Sequence, residues 1–248
     1  LTTVTTSCTP QFDYSFDGNV TEIIKEHSYT YTDKGDGTHS FNCSVCGSIG
    51  TEDHDFFYNA NNNVITASCN KCETTGTATI TAENVTYTGS AYANASVSYS
   101  DNWQGNRDLT IVYKQGETIL DAAPVNAGDY TAYIEYESAG VPAYFTIAKE
   151  DSTITAAPTA IADLVYDGSA QNLINAGTAT GGEMQYSTDG TNYSTAIPTG
   201  TNAKTYTVWY KVVGDENYID TVPASIEVTI APKSVTVTAD NKSKTYGE

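Results

Sequence analysis

The sequence predicts an all-β protein made of tandem β-sandwich units behind a small cysteine-bearing module. Three observations carry this expectation. Landmark motifs recur in constant order at nearly constant intervals. The segments between them alternate apolar and polar residues with the period of a strand. All five cysteines and all three histidines fall before residue 77.

A repeat organises the chain. A Tyr-x-Gly turn occurs at Tyr87-Thr88-Gly89 and again at Tyr166-Asp167-Gly168, and the pair Tyr246-Gly247 stands near the end, so the three tyrosines are almost evenly spaced. A second landmark, Asn126-Ala127-Gly128-Asp129-Tyr130, is matched by Asn202-Ala203-Lys204-Thr205-Tyr206, and each unit closes on Thr-Ile-Ala, at 146–148 and 229–231. Three landmarks in constant order define a tandem array with expected domains at 78–150 and 151–232, and the start of a third at 233–248.

Each unit reads as strands. Tyr130, Ala132, Ile134 and Tyr136 lie on one face of a segment whose other face carries Thr131, Tyr133 and Glu135. Tyr206, Val208, Tyr210 and Val212 are opposed in the same way by Thr207, Trp209 and Lys211. Further strands are expected at 79–82, 96–100, 109–114, 118–120 and 144–148, separated by turn residues such as Gln115-Gly116 and Asp189-Gly190. About seven short strands per unit match an immunoglobulin-like sandwich. The tyrosine opening the 130 and 206 strands is placed either to send its hydroxyl back to nearby backbone, as in a tyrosine corner, or to act as a plain core aromatic. The segments Ala148–Ala156 and Ile230–Lys233 are expected as short linkers.

These motifs carry a resemblance. Tyr166-Asp-Gly-Ser-Ala-Gln-Asn-Leu173, Gly181-Gly-Glu-Met-Gln-Tyr-Ser-Thr-Asp-Gly-Thr-Asn-Tyr193 and Tyr210-Lys-Val-Val-Gly-Asp-Glu-Asn-Tyr218 resemble the bacterial immunoglobulin-like repeats of the MBG or YDG type. Val235-Thr-Val-Thr-Ala-Asp-Asn-Lys-Ser-Lys-Thr-Tyr-Gly247 resembles the opening of a further repeat. The resemblance implies a stalk or adhesin segment of a Gram-positive cell-wall or surface protein, extracellular, with its anchor elsewhere. Leu1 at the start and a single methionine, Met184, lead us to expect a piece of a longer chain.

Residues 1–77 form the expected cysteine module. Cys43-Ser-Val-Cys46 and Cys69-Asn-Lys-Cys72 are two C-x2-C knuckles separated by the segment 47–68. Four thiolates so spaced suit a structural Zn2+ ion, with Cys43, Cys46, Cys69 and Cys72 as its ligands; paired disulfides are the other reading in a secreted chain. Gly47 after the first knuckle fits such a turn, whereas Glu73 after the second does not. His39 and His54 can each stand in for a cysteine, but four cysteines already complete a site, so a polar surface position is expected for both; Cys8 is left over, either from a preceding knuckle or for a pairing within the domain or between chains. The stretch from His27 to Cys46-Gly47 resembles short Cys-knuckle modules that precede such repeats in bacterial surface proteins.

Other chemistry is excluded or weak. Thirty acidic residues against 11 basic give a net charge of −19, which argues against nucleic acid and anionic membrane as partners. No phosphate-binding glycine loop, dinucleotide fingerprint or nucleophile–base signature is present, so no catalytic residues are assigned and a non-enzyme is expected. Asp33-Lys-Gly-Asp36-Gly37 and Asp215-Glu216 fit turn chemistry better than a calcium loop. Tyr133 and Trp209 occupy equivalent outward positions. They are candidates for contact with a host glycan or protein, or for covering a seam.

Overall fold

The computed structural model describes residues 27–244 and 246–247. The described residues contain strands and no helix. They divide into two compact units, one holding most of the chain up to Ile147 and the other holding Thr86–Gly89, Asn126–Gly128 and Ala148 onward.

The first unit opens with a three-stranded meander, β1 (Tyr29–Asp33), β2 (Thr38–Cys43) and β3 (Ile49–Asp53), in spatial order β1-β2-β3. A second meander follows: β4 (Phe56–Asn61), β5 (Val64–Cys69) and β6 (Thr75–Ala82). On its far edge β6 pairs with β8 (Ala95–Tyr99), making one four-stranded sheet, β4-β5-β6-β8. The domain boundary expected at 77/78 therefore falls inside β6, because one continuous ladder joins the cysteine hairpin to the first repeat. The opposing sheet is built from β7 (Val85–Thr86), β9 (Val112–Gln115), β10 (Thr118–Ile119), β11 (Gly128–Tyr136) and β12 (Ala139–Ala148), in the order β10-β9-β11-β12-β7. A hairpin of two middle strands beside the last two strands of the unit is the C′-C-F-G arrangement of an immunoglobulin-like sandwich.

Sequence alternation accounts for the core between these sheets. Tyr130, Ala132 and Ile134 of β11 are buried, as are Val141, Ala143, Phe145 and Ile147 of β12. Tyr92 stacks on Phe145 with ring centroids 3.8 Å apart. Its hydroxyl accepts from the Glu83 N–H at 2.9 Å and donates to the Glu83 carbonyl at 2.8 Å. Trp103 is enclosed by Tyr58 from β4 and Tyr136 from β11. Burial pushes the Tyr58 phenol up to about 12.

In the second unit the main sheet is built from β19 (Gly182–Ser187), β21 (Thr205–Gly214) and β23 (Ala224–Thr229), with β21 in the middle. The facing layer is made of short ladders. Among them β15 (Thr159–Ala160) pairs with β17 (Ile174–Asn175), and β16 (Gln171–Asn172) pairs with β20 (Thr199–Gly200). A parallel bridge from Val165 to Ala231 sets the early chain beside the last strand, as in the same sandwich. Leu173, Ile174, Tyr186, Val208, Val228 and Ile230 form the core. The expected linker 148–156 is not a free connection. It holds β13 (Glu150–Asp151), paired parallel with β22 (Tyr218–Ile219), and β14 (Thr153–Ala156), paired with β18 (Thr178–Thr180).

The repeat landmarks share geometry. Gly89 and Gly168 both have positive φ, 76° and 88°, the left-handed region that a Tyr-x-Gly turn requires of its glycine. The tyrosine corner is present at Tyr206, whose hydroxyl accepts from the Asn202 N–H at 2.9 Å and donates to the Asn202 carbonyl at 3.0 Å. At the Asp189-Gly190 turn, the carboxylate accepts from the N–H groups of Asn192 and Thr191, each at 2.8 Å, from the Asn192 amide and from the Ser187 hydroxyl. These donors hold the Asp189 carboxyl well below the usual carboxylate range, with those of Asn192 leading.

Two outcomes are expected from this packing. Leu173→Ala lowers stability by about 2–5 kcal/mol in urea unfolding, because a fully buried side chain leaves a cavity. Asp189 has a depressed folded pKa, so its contribution is present above 3.8 and is lost as pH falls through the folded value. Asp189→Asn is therefore expected to be less stable than the parent at neutral pH, with the gap closing at successively lower pH.

Candidate metal centre

Each knuckle sits at the end of a strand, and the two are built alike. β2 ends at Cys43 and β5 at Cys69. The Cys43 N–H reaches the Ser48 carbonyl at 2.8 Å, and the Cys69 N–H reaches the Thr74 carbonyl at 3.0 Å. Gly47 turns the first knuckle at φ 70°, and the Lys71 N–H points to the Cys69 Sγ at 3.4 Å in the second. A histidine precedes each hairpin by the same margin: His27 stands just before β1 and His54 just before β4. The module is thus two copies of one unit: histidine, hairpin, C-x2-C, return strand. Sequence reading missed this repeat. Its signal was the nearly equal interval from histidine to first cysteine, His27 to Cys43 in one copy and His54 to Cys69 in the other.

The structure distributes the expected zinc ligands over two groups. Cys69 and Cys72 come together with His39 and His54, and Cys43 and Cys46 come together with His27; within each group the ligand atoms lie within 4.8 Å of one another. The four cysteines do not share one group. Cys43, Cys69 and Cys72 are free thiols, whereas Cys46 is disulfide-bonded, so its sulfur is not a thiolate. Cys8 lies outside the described residues.

The larger group is buried and polar. The surface position expected of the two histidines does not hold, because the cysteine hairpins close over them: His39 is fully buried, with Nδ1 3.8 Å from the Cys69 Sγ. Its Nε2 lies 2.9 Å from Glu52 Oε1, the residue directly opposite on β3. The same oxygen accepts from Lys71 Nζ at 2.8 Å. Lys71 and then His39 hold the Glu52 carboxyl below its ordinary value. His54 is held beside the knuckle through its neighbour: the Asn70 N–H donates to the Asp55 carbonyl at 2.9 Å, and the Asn70 amide to the Asp55 carboxylate at 2.9 Å. The His54 side chain is 2 % exposed, and neither ring nitrogen has a hydrogen-bond partner. Asp33 Oδ1 lies 3.5 Å from Nε2, too far for a good hydrogen bond.

The thiols are disposed toward charge. Burial opposes ionisation of Cys69, but the N–H groups of Lys71, Cys72 and Asp55 and the Cys72 thiol together hold it below the ordinary thiol range. Cys43 follows the same pattern: burial opposes, while the Cys46 N–H, the His27 imidazole at 3.2 Å and the Val45 N–H lower it. Two sulfurs and two imidazoles at these separations are compatible with a structural metal ion.

The candidate contact residues have neighbours of their own. Tyr133 lies over Gly140, with its hydroxyl where a β-carbon would fall, and Lys114 Nζ stands 4.0 Å from its ring centroid. Trp209 is 37 % exposed and lies against Gly190. Each ring thus covers a glycine of its own unit. Tyr144, which sequence reading placed in a strand without singling it out, is the more open ring at 75 % exposed.

No protein-family model matches the chain, and no curated protein matches it. Among solved structures, a three-immunoglobulin-domain fragment of titin, I67–I69 in an E-to-A mutated variant, is 9% identical with a TM-score of 0.29, over 79% of this chain and 92% of that one. A likeness that slight carries no argument; the immunoglobulin-like assignment stands on the strand orders given above. Tyr133→Ala is expected to cost on the order of 1 kcal/mol in urea unfolding, from loss of the Lys114 cation–π contact and the cover over Gly140.

Proposed function

We propose that the chain is a non-catalytic segment of an extracellular bacterial surface protein, a series of small β repeats of the MBG or YDG kind acting as stalk, spacer or adhesin repeat in a Gram-positive cell wall. The observation that supports this reading is the duplication of parts. Tyr-x-Gly turns with left-handed glycines recur in register with immunoglobulin-like strand orders, and the cysteine hairpins are themselves a repeat. Repetition of small, separately cored units is how extended proteins gain length without a large single core. The net charge of −19 fits an exposed, self-repelling surface. In this reading a structural zinc ion takes the place of a larger core in the cysteine-bearing module.

A second reading, contact with a host glycan, draws its support from Tyr144 rather than from Tyr133 and Trp209. Tyr144 stands between two clefts of the first unit, one lined by Asn84 and Asp129 and the other by Asn62 and Asn63. An aromatic face beside amide and carboxylate groups suits stacking on a sugar with hydrogen bonds at its rim.

Antibodies raised against the purified chain are expected to label intact, unpermeabilised cells of the source bacterium. Labelling that requires permeabilisation overturns the surface reading.

A further inference from the structure

We infer that one Zn2+ ion is held by Cys69, Cys72, His54 and His39, a Cys2His2 set that draws one histidine from each hairpin copy, in place of the expected four-cysteine site. This assignment rests on the structural-zinc part of the reading above and not on the surface role.

Four independent observations carry it. Zn–S and Zn–N bonds of about 2.3 and 2.05 Å at a tetrahedral angle put sulfur and nitrogen roughly 3.6 Å apart, and the Cys69 Sγ to His39 Nδ1 separation is 3.8 Å. His39 has its other nitrogen on a carboxylate, Glu52, which is the outer partner that fixes the tautomer and orientation of a metal-bound imidazole. With Nε2–H donated to Glu52, Nδ1 is left as a lone pair facing the thiols.

The third observation is His54. Neither nitrogen of this buried imidazole has a hydrogen-bond partner, with Asp33 Oδ1 no closer than 3.5 Å, and a polar group so enclosed is costly. A metal bond is the partner its position beside Cys69 and Cys72 allows. The fourth is the poverty of the surrounding core. Among residues 27–63 no aliphatic residue, phenylalanine or tyrosine is buried, so the β1-β2-β3 meander has no hydrophobic core of its own. Modules of that kind are stabilised by a metal or by disulfides. An ion joining His39 of β2 to the β5–β6 knuckle ties the first meander to the second. Two nitrogens and two thiolates in tetrahedral array favour Zn2+ over harder cations. Cys43, grouped with His27 and the disulfide-bonded Cys46, lies outside the set.

The test uses the full 248-residue chain, purified without added metal. Zinc per chain is read by elemental mass spectrometry, and the ligand set by the visible spectrum of the Co2+-substituted protein. Cys72→Ser, His54→Ala and His39→Ala are each expected to lower bound zinc by one equivalent, and Cys43→Ser to leave it unchanged. His54→Cys keeps four ligands. It is expected to retain the zinc and to raise the sulfur-to-Co2+ charge-transfer absorption by about half, as two thiolates become three; its failure to bind zinc overturns the assignment, and so guards against simple misfolding of the alanine variants. Loss of zinc in Cys43→Ser with full retention in His54→Ala overturns the ligand set while the zinc reading stands. A parent chain that carries no zinc and shows no tetrahedral Co2+ spectrum overturns both.

Discussion

Strand β6 is the constraint on which the rest of the first unit depends. It is paired along both edges, to β5 through Val64–Ser68 and to β8 through Ala95–Tyr99. Its inward residues Gly76, Ala78 and Ile80 are buried. Gly76 is required there for a concrete reason: a β-carbon would fall 2.3 Å from the Asn102 carbonyl oxygen, so the strand lies flat against the turn that carries Trp103. Backbone groups left without partners in a buried strand are costly. The cysteine hairpin meets that need along one edge of β6, and the sandwich meets it along the other.

The most legible parts of the fold were those where side chains alternate cleanly. The strands opening at Tyr130 and Tyr206, with their buried faces, and the left-handed glycines of the Tyr-x-Gly turns all follow from pattern and turn chemistry. The start of β6 was not legible, because Thr75-Gly76-Thr77 carries no apolar alternation and its burial comes from the Asn102–Trp103 turn. The segment 148–156 read as a linker for a similar reason: its strands are very short and are defined only by distant partners. Of the candidate centre, the cysteines were legible by spacing. The histidines were not, because His39 is brought to Cys69, far along the chain, by the stacking of one meander on the next.

Polar and apolar stabilisation are divided between regions. The sandwich units rest on aromatic and aliphatic burial, with Tyr92, Phe145 and Tyr130 stacked in one core and Leu173, Val208 and Ile230 in the other. In the β1-β2-β3 meander the buried side chains are an imidazole and a thiol, His39 and Cys43, with His39 oriented by Glu52 and Lys71. A core of ligands is directional where a hydrophobic core is not. That difference explains why the meander holds its form with so little apolar surface enclosed.

The borrowing of His39 by the following copy has a direction. Each hairpin brings one histidine and two cysteines to its own knuckle, and the second takes its fourth group from the hairpin before it. The loan runs one way: the place of His39, four residues before the first cysteine, is taken by Ile65 in the other copy. The second copy can therefore receive a fourth group but has none of that kind to supply.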